Sequence, residues 1–146
     1  MASPATQEDA RLLLELYSLR REKVLRRARD FVGHELKFKN FKDYTKRYPE
    51  GSKQGTYVGM VLGYWDMACA LVERGLLNEE LFQAVTFEHV GVWFKLKALV
   101  EGWRNQYNAP TVLAALEAVA TRNPAAASFQ PPPEEKKSKG KKKKRR

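Results

Sequence analysis

Lys53-Gln54-Gly55-Thr56-Tyr57-Val58-Gly59-Met60-Val61-Leu62-Gly63-Tyr64-Trp65-Asp66-Met67-Ala68-Cys69-Ala70-Leu71-Val72-Glu73-Arg74, followed by Gly75, is the stretch on which the fold turns. It lacks the β-branched alternation of a strand and reads as one long helix. As the most apolar element of the chain it belongs at the centre. Gly75, directly after Arg74, suits a left-handed helix C-cap. Gly55, Gly59 and Gly63 stand four residues apart, and each costs about 1 kcal/mol of helix propensity relative to alanine. Three glycines on one face predict another helix packed there at short distance.

Upstream, Pro4 and Thr6-Gln7-Glu8-Asp9 form a helix start, with Thr6 as cap and Asp9 placed for a capping box. Leu13, Leu16, Tyr17, Val24, Ala28, Phe31 and Val32 then recur at helical steps. They predict a single apolar stripe over about seven turns, ended or bent at Gly33. A shorter segment, Phe38 to Tyr48, carries Phe41, Tyr44 and Tyr48 at helical spacing before the turn Pro49-Glu50-Gly51-Ser52.

Downstream, Asn78 caps a short helix, Glu79 to Val85, with two acids in its first turn. Thr86 or Phe87 opens a helix from Glu88 to about Gln106, with Val90, Trp93, Phe94, Leu96, Leu99, Val100 and Trp103 inward. Pro110 is placed at the first position of the last helix, whose apolar side is Val112, Leu113, Leu116 and Val119. Asn123-Pro124 stops it. The result is an all-α fold, a single domain of about five or six helices over residues 1–123.

The run Val72-Glu73-Arg74-Gly75-Leu76-Leu77-Asn78-Glu79-Glu80-Leu81-Phe82, with Val92-Trp93 and Trp103-Arg104 further on, resembles a family of uncharacterised bacterial all-helical proteins. In that family a glycine-terminated long helix leads into a short acidic-capped helix and then a Trp-bearing helix. The resemblance covers residues 10–120 and leaves out the lysine-rich C-terminus. It implies a fold and no activity, so no functional residue is carried over. Some relatives place a membrane segment ahead of the domain; none is visible here, which makes a soluble version the expectation.

With 146 residues, 43% of them hydrophobic and 11% aromatic, the chain can bury one modest core, which excludes a multidomain enzyme. The longest stretches without a charge, Gln54 to Trp65 and Asn105 to Leu116, are 12 residues each. A spanning helix needs about 20. Cys69 is the single cysteine, so no internal disulfide forms. The N-terminus has no apolar core of a secretory signal, and the expected location is the cytoplasm.

The net charge of +10 is unevenly distributed. Residues 134–146 hold 9 basic and 2 acidic groups, a net of +7, which leaves 18 basic and 15 acidic groups elsewhere, a net of +3. Pro131-Pro132-Pro133 separates tail from body, because successive prolines cannot continue a helix. Residues 124–146 cannot bury enough apolar surface to offset their chain entropy and are expected to be disordered. Removal of everything after Arg122 is accordingly expected to leave stability nearly unchanged.

No catalytic constellation emerges. His34 and His89 lie 55 residues apart with no cysteine nearby, so surface or helix-end positions are expected for both and no metal site. Cys69, on an apolar helix, reads as a buried inert thiol. The three glycines have no Gly-Lys-Ser/Thr after them and make no phosphate loop. Glu73, Glu79, Glu80, Glu88 and Glu101 are scattered over caps and helix faces. Neither enzyme activity nor a cofactor is expected. Trp65, Trp93 and Trp103 read as core residues rather than a base-stacking platform. The interleaved aromatics and cations of residues 38–48 read as an amphipathic helix with its aromatics inward.

The functional expectation rests on the C-terminus. Lys136, Lys137, Lys139, Lys141, Lys142, Lys143, Lys144, Arg145 and Arg146 place nine cations in eleven residues, and such a run binds phosphate polymers by counterion release without fixed geometry. The expected protein is a non-enzymatic helical module that associates with DNA, RNA or another polyanion. Arg20, Arg21, Lys23, Arg26, Arg27 and Arg29 form a possible accessory cluster. The alternative is an assembly subunit whose helical body binds a protein partner, the tail being accessory.

Overall fold

The computed structural model describes residues 3–129, and every regular element among them is helical. Seven α-helices follow in order: α1 (Gln7–Arg20), α2 (Lys23–Asp30), α3 (Phe41–Arg47), α4 (Lys53–Glu73), α5 (Glu79–Val85), α6 (Glu88–Gln106) and α7 (Ala114–Arg122). A π-helical turn, Phe31–Glu35, follows α2, and a 3-10 segment, Pro124–Phe129, follows α7.

α4 runs through the middle, flanked by α2 and α7, and buries Tyr57, Val58, Val61, Leu62, Trp65, Ala68, Cys69 and Val72. A single apolar cluster joins it to Leu96, Leu99 and Val100 of α6 and to Leu116 and Val119 of α7. Local chemistry sets most of the ends. Thr6 and Asp9 form the capping box of α1, the Thr6 N–H donating to Asp9 Oδ2 at 2.8 Å and the Asp9 N–H to Thr6 Oγ1 at 3.2 Å. Asn40, Ser52 and Asn78 cap α3, α4 and α5 with their side chains. Gly51 and Gly75 take positive φ in the turns bounding α4.

The structure has one α-helix more than the upper expectation, because the first long helix is two. Its apolar stripe breaks at Arg21 and Glu22. The Glu22 carboxylate accepts the Val24 and Leu25 N–H groups at 3.0 and 2.9 Å and so caps a new helix. The restart shifts the register: Leu25 is buried, and Val24 and Tyr17, assigned inward by spacing, are exposed. Gly33 sits in the π-helical turn where the Leu36 N–H reaches the Phe31 carbonyl at 2.8 Å.

The glycine face of α4 is a second correction. Gly59 and Gly63 are exposed, and a Cβ on either would meet nothing within 4 Å. The close approach occurs elsewhere, at Gly102 of α6, where a Cβ would lie 2.2 Å from Cγ of Phe41. That ring packs edge-on against Trp103, with centroids 6.1 Å apart.

Pro110 does not start α7. In a helix beginning there, the Leu116 N–H would donate to the Val112 carbonyl. Instead Arg104 Nε–H takes the Val112 carbonyl at 2.9 Å, and the Asp66 carboxylate, projecting from α4, takes the Leu116 N–H at 3.0 Å. Leu113 turns left-handed (φ 58°) and the helix begins at Ala114. Beyond α7, the ordered body continues past the expected boundary at residue 123. Asn123 donates from Nδ2 to Gln83 Oε1 at 2.7 Å, Ala126 is buried, and Phe129 stacks on Phe94 with centroids 5.2 Å apart. These contacts make truncation after Arg122 a structural change.

Candidate functional site

The nine basic residues from Lys136 to Arg146 lie outside the described residues. The accessory cluster lies inside them, at the corner where α1 meets α2, and the structure divides it. Arg27 pairs with Glu35 at 2.8 Å and with Asp30 at 3.3 Å. Arg29 grips Glu88 of α6 with two donors, Nε to Oε1 at 2.9 Å and Nη2 to Oε2 at 2.5 Å. That bidentate contact raises the Arg29 pKa further and ties α2 to the start of α6. Both arginines are structural cations.

Arg20, Arg21, Lys23 and Arg26 make no ion pair among the described residues. Arg20 lies over the Tyr17 ring at 4.9 Å and over the Trp65 ring at 5.9 Å, and Arg21 lies over the Tyr17 ring at 5.8 Å. The helix break at Glu22 therefore presents four cations at one corner, three of them exposed.

Beside this corner is an apolar pocket of about 350 Å³. Leu13 and Leu16 of α1, Tyr64 and Trp65 of α4 and Phe82 of α5 line it, together with the exposed Tyr17 and Val85 and the half-buried Arg20. α1 is held over these helices by polar ties. The Asp9 carboxylate accepts the Asn78 N–H at 2.9 Å, and the Tyr64 hydroxyl donates to the Leu16 carbonyl. Backbone N–H donation from Thr6, then from Asn78, holds the Asp9 carboxyl below its ordinary pKa.

Trp65 and Phe82 also pack against His89 in tilted arrangements, with ring centroids 5.7 and 4.9 Å away. His89 is in the first turn of α6, a helix-end position as expected, but it is completely buried. Its tautomer follows from its neighbours. Gln83 Nε2 donates to the Val119 carbonyl at 2.9 Å, so Gln83 Oε1 faces His89 Nε2 at 2.8 Å and must accept from it. The proton is on Nε2, and Nδ1 has no partner among the described residues. Burial, opposed by the charge of Glu88, brings the imidazole pKa down to about 4. The Trp65 indole N–H is likewise buried without an acceptor among the described residues. Cys69 is fully buried with its thiol pKa pushed up, chiefly by desolvation. No group of three or more potential ligand side chains among the described residues could hold a metal ion.

Sequence spacing did not reveal the pocket, because its walls come from α1, α4 and α5, which are far apart in the chain. One signal was available. Leu12-Leu13-Leu14 with Leu16 and Leu19 covers more of a helix than one core stripe occupies, and Leu14 and Leu19 are indeed exposed. The aromatics of α3 do face inward: Tyr44 is buried, and Phe41 and Tyr48 pack on the core. Trp65 and Trp93 are core residues and Trp103 packs against the core, as the spacing implied.

A family model described as a domain of unknown function, DUF4760, matches residues 5–123, and the chain belongs to that family. No curated protein matches the chain, and no solved structure does. No helix among the described residues is long and apolar enough to cross a membrane.

Proposed function

Since membership of the DUF4760 family brings no activity with it, we propose that the protein is a non-enzymatic, cytoplasmic helical module that associates with nucleic acid or another polyanion through Lys136 to Arg146. The observation that carries this reading is the run of nine cations in eleven residues behind three prolines. Counterion release makes such a run attractive to any phosphate polymer. The corner formed by Arg20, Arg21, Lys23 and Arg26 supports the reading with further cations that form no ion pair among the described residues, although the Glu22 carboxylate stands beside Arg26. Arg27 and Arg29 drop out of the accessory set, because their charges are already matched.

Binding of a DNA duplex and of a structured RNA, followed across a salt series, tests it. On duplex the slope of log affinity against log salt approaches −0.9 per neutralised phosphate, so nine tail cations set a ceiling near −8, and about half that is expected. Sequence preference should be weak, since lysines read phosphates and not base edges. Deleting Lys136 to Arg146 should remove most of the slope and leave the remainder to the α1–α2 corner. Binding that survives with its slope intact refutes the tail as the site. Absence of binding at low salt refutes the polyanion reading, and a protein-docking body takes its place.

A further inference from the structure

We infer that the pocket between α1, α4 and α5 is a binding site for a single-chain carboxylate amphipath of the fatty-acid class, its chain against Leu13, Leu14, Tyr17 and Val85 and its carboxylate at Arg20. The inference goes beyond the polyanion reading and does not depend on it.

The first support is the lining. A pocket of about 350 Å³ falls in the range of ligand sites, which are mostly apolar with a few placed polar groups. Leu14 (68% exposed), Val85 (56%) and Tyr17 (49%) also line it, so apolar surface stands in water around an apolar concavity. A hydrocarbon chain removes both surfaces from water at once. The polar groups are few, and the Tyr64 hydroxyl is already committed to the Leu16 carbonyl.

The second support is charge. Arg20 is the one charged residue lining the pocket, and it has no carboxylate partner among the described residues. Its guanidinium is held over the Tyr17 and Trp65 rings, which leaves its N–H donors for an anion in partly desolvated surroundings, where a charge-assisted hydrogen bond is stronger than in water. A cationic or neutral head group would waste this arrangement.

The chain's own C-terminus does not suit the pocket. Residues 130–146 contain no aliphatic or aromatic side chain besides prolines, and their cations would repel Arg20. The occupant therefore has to bring both hydrocarbon and negative charge. A free carboxylate amphipath supplies both in one molecule.

Calorimetric titration of the full-length protein with hexanoate, octanoate and decanoate below their micellar concentrations tests this. About 0.8 kcal/mol per buried methylene corresponds to a fourfold gain in affinity for each one added, so affinity should climb steeply with chain length. Decanol should bind about tenfold more weakly than decanoate for want of the charged contact. Arg20→Gln should bring decanoate down to the level of decanol. Val85→Trp, at an exposed position, should block the mouth and abolish binding while circular dichroism shows an unchanged fold.

The inference is overturned if affinity ignores chain length, if decanol equals decanoate, or if Val85→Trp binds like the parent. Vesicles of phosphatidylglycerol separate a free amphipath from an acyl chain in a bilayer. Vesicle binding that falls in Val85→Trp would assign the pocket to membrane lipid and overturn the free ligand. Heat that depends on salt but not on chain length reports the tail, so failure of one reading is distinguishable from failure of the other.

Discussion

Gly102→Ala should destabilise the protein although alanine is the better helix former. Gly102 lies inside α6, and a Cβ there would sit 2.2 to 2.6 Å from three carbons of the Phe41 ring. Carbon atoms in favourable contact are about 3.5–4.0 Å apart, so the ring must retreat by about 1 Å or more. The atoms struck are Cγ and both Cδ carbons, close to the backbone of α3, and a rotation of the ring tip does not relieve them. Retreat would pull Phe41 from Trp103 and loosen the one packing face of a seven-residue helix. Contacts this short put the cost in the upper half of the range for overpacking, about 2–3 kcal/mol, and the gain in helix propensity returns about 1 kcal/mol. The net loss of about 1–2 kcal/mol amounts to a fall in Tm of about 4–8 °C for a body of this size. Thermal unfolding followed by circular dichroism reads it directly. Gly59→Ala and Gly63→Ala are the controls: a Cβ at either meets open space, so each should raise Tm through propensity alone. In a double-mutant cycle, Gly102→Ala added to Phe41→Ala should cost nothing further. A Gly102→Ala variant as stable as the parent, or more stable, would refute the close packing of α3 on α6.

Two further outcomes are expected. His89 is neutral in the fold with a pKa of about 4, against about 6.5 in an unfolded chain, so the unfolded state binds the extra proton between these values. Stability contributed by the neutral imidazole is complete above about pH 6.5, falls as pH drops through the window to about 4, and amounts to about 3 kcal/mol at most. Denaturant unfolding should show the slope, and between about pH 6.5 and 5, above the range where the lowered carboxylates such as Asp9 contribute, His89→Gln should remove most of it; a parent protein with flat stability from about pH 6.5 to 5 would contradict the buried neutral ring. Asp66→Ala should cost about 1 kcal/mol by leaving the Leu116 N–H at the start of α7 unpaired. Urea unfolding with an unshifted midpoint would show that Asp66 does not cap α7.

Much of the helical framework was legible because its determinants are local. The box of Thr6 with Asp9, the Asn78 cap and the Gly75 turn each act within a few residues, and all three stand where spacing placed them. The Glu22 break was also local chemistry, but the apolar stripe on both sides of it disguised two helices as one. The Pro110 start failed for a different reason. Arg104 and Asp66, six and forty-four residues away, compete for the hydrogen-bonding groups that a longer helix would use.

Composition and periodicity determined that the described residues fold into helices without strands, that α4 is their centre and that the chain's cations concentrate at its C-terminus, because those properties are sums over single residues and near neighbours. Which glycine is crowded, which arginines are already paired and where a pocket opens depend on atoms brought together from distant segments. Gly102 meets Phe41, Arg29 meets Glu88, and Leu13, Trp65 and Phe82 come to line one pocket only after the helices have docked. The tertiary structure alone decided them, because side-chain packing is set by three-dimensional neighbours that no sequence period encodes.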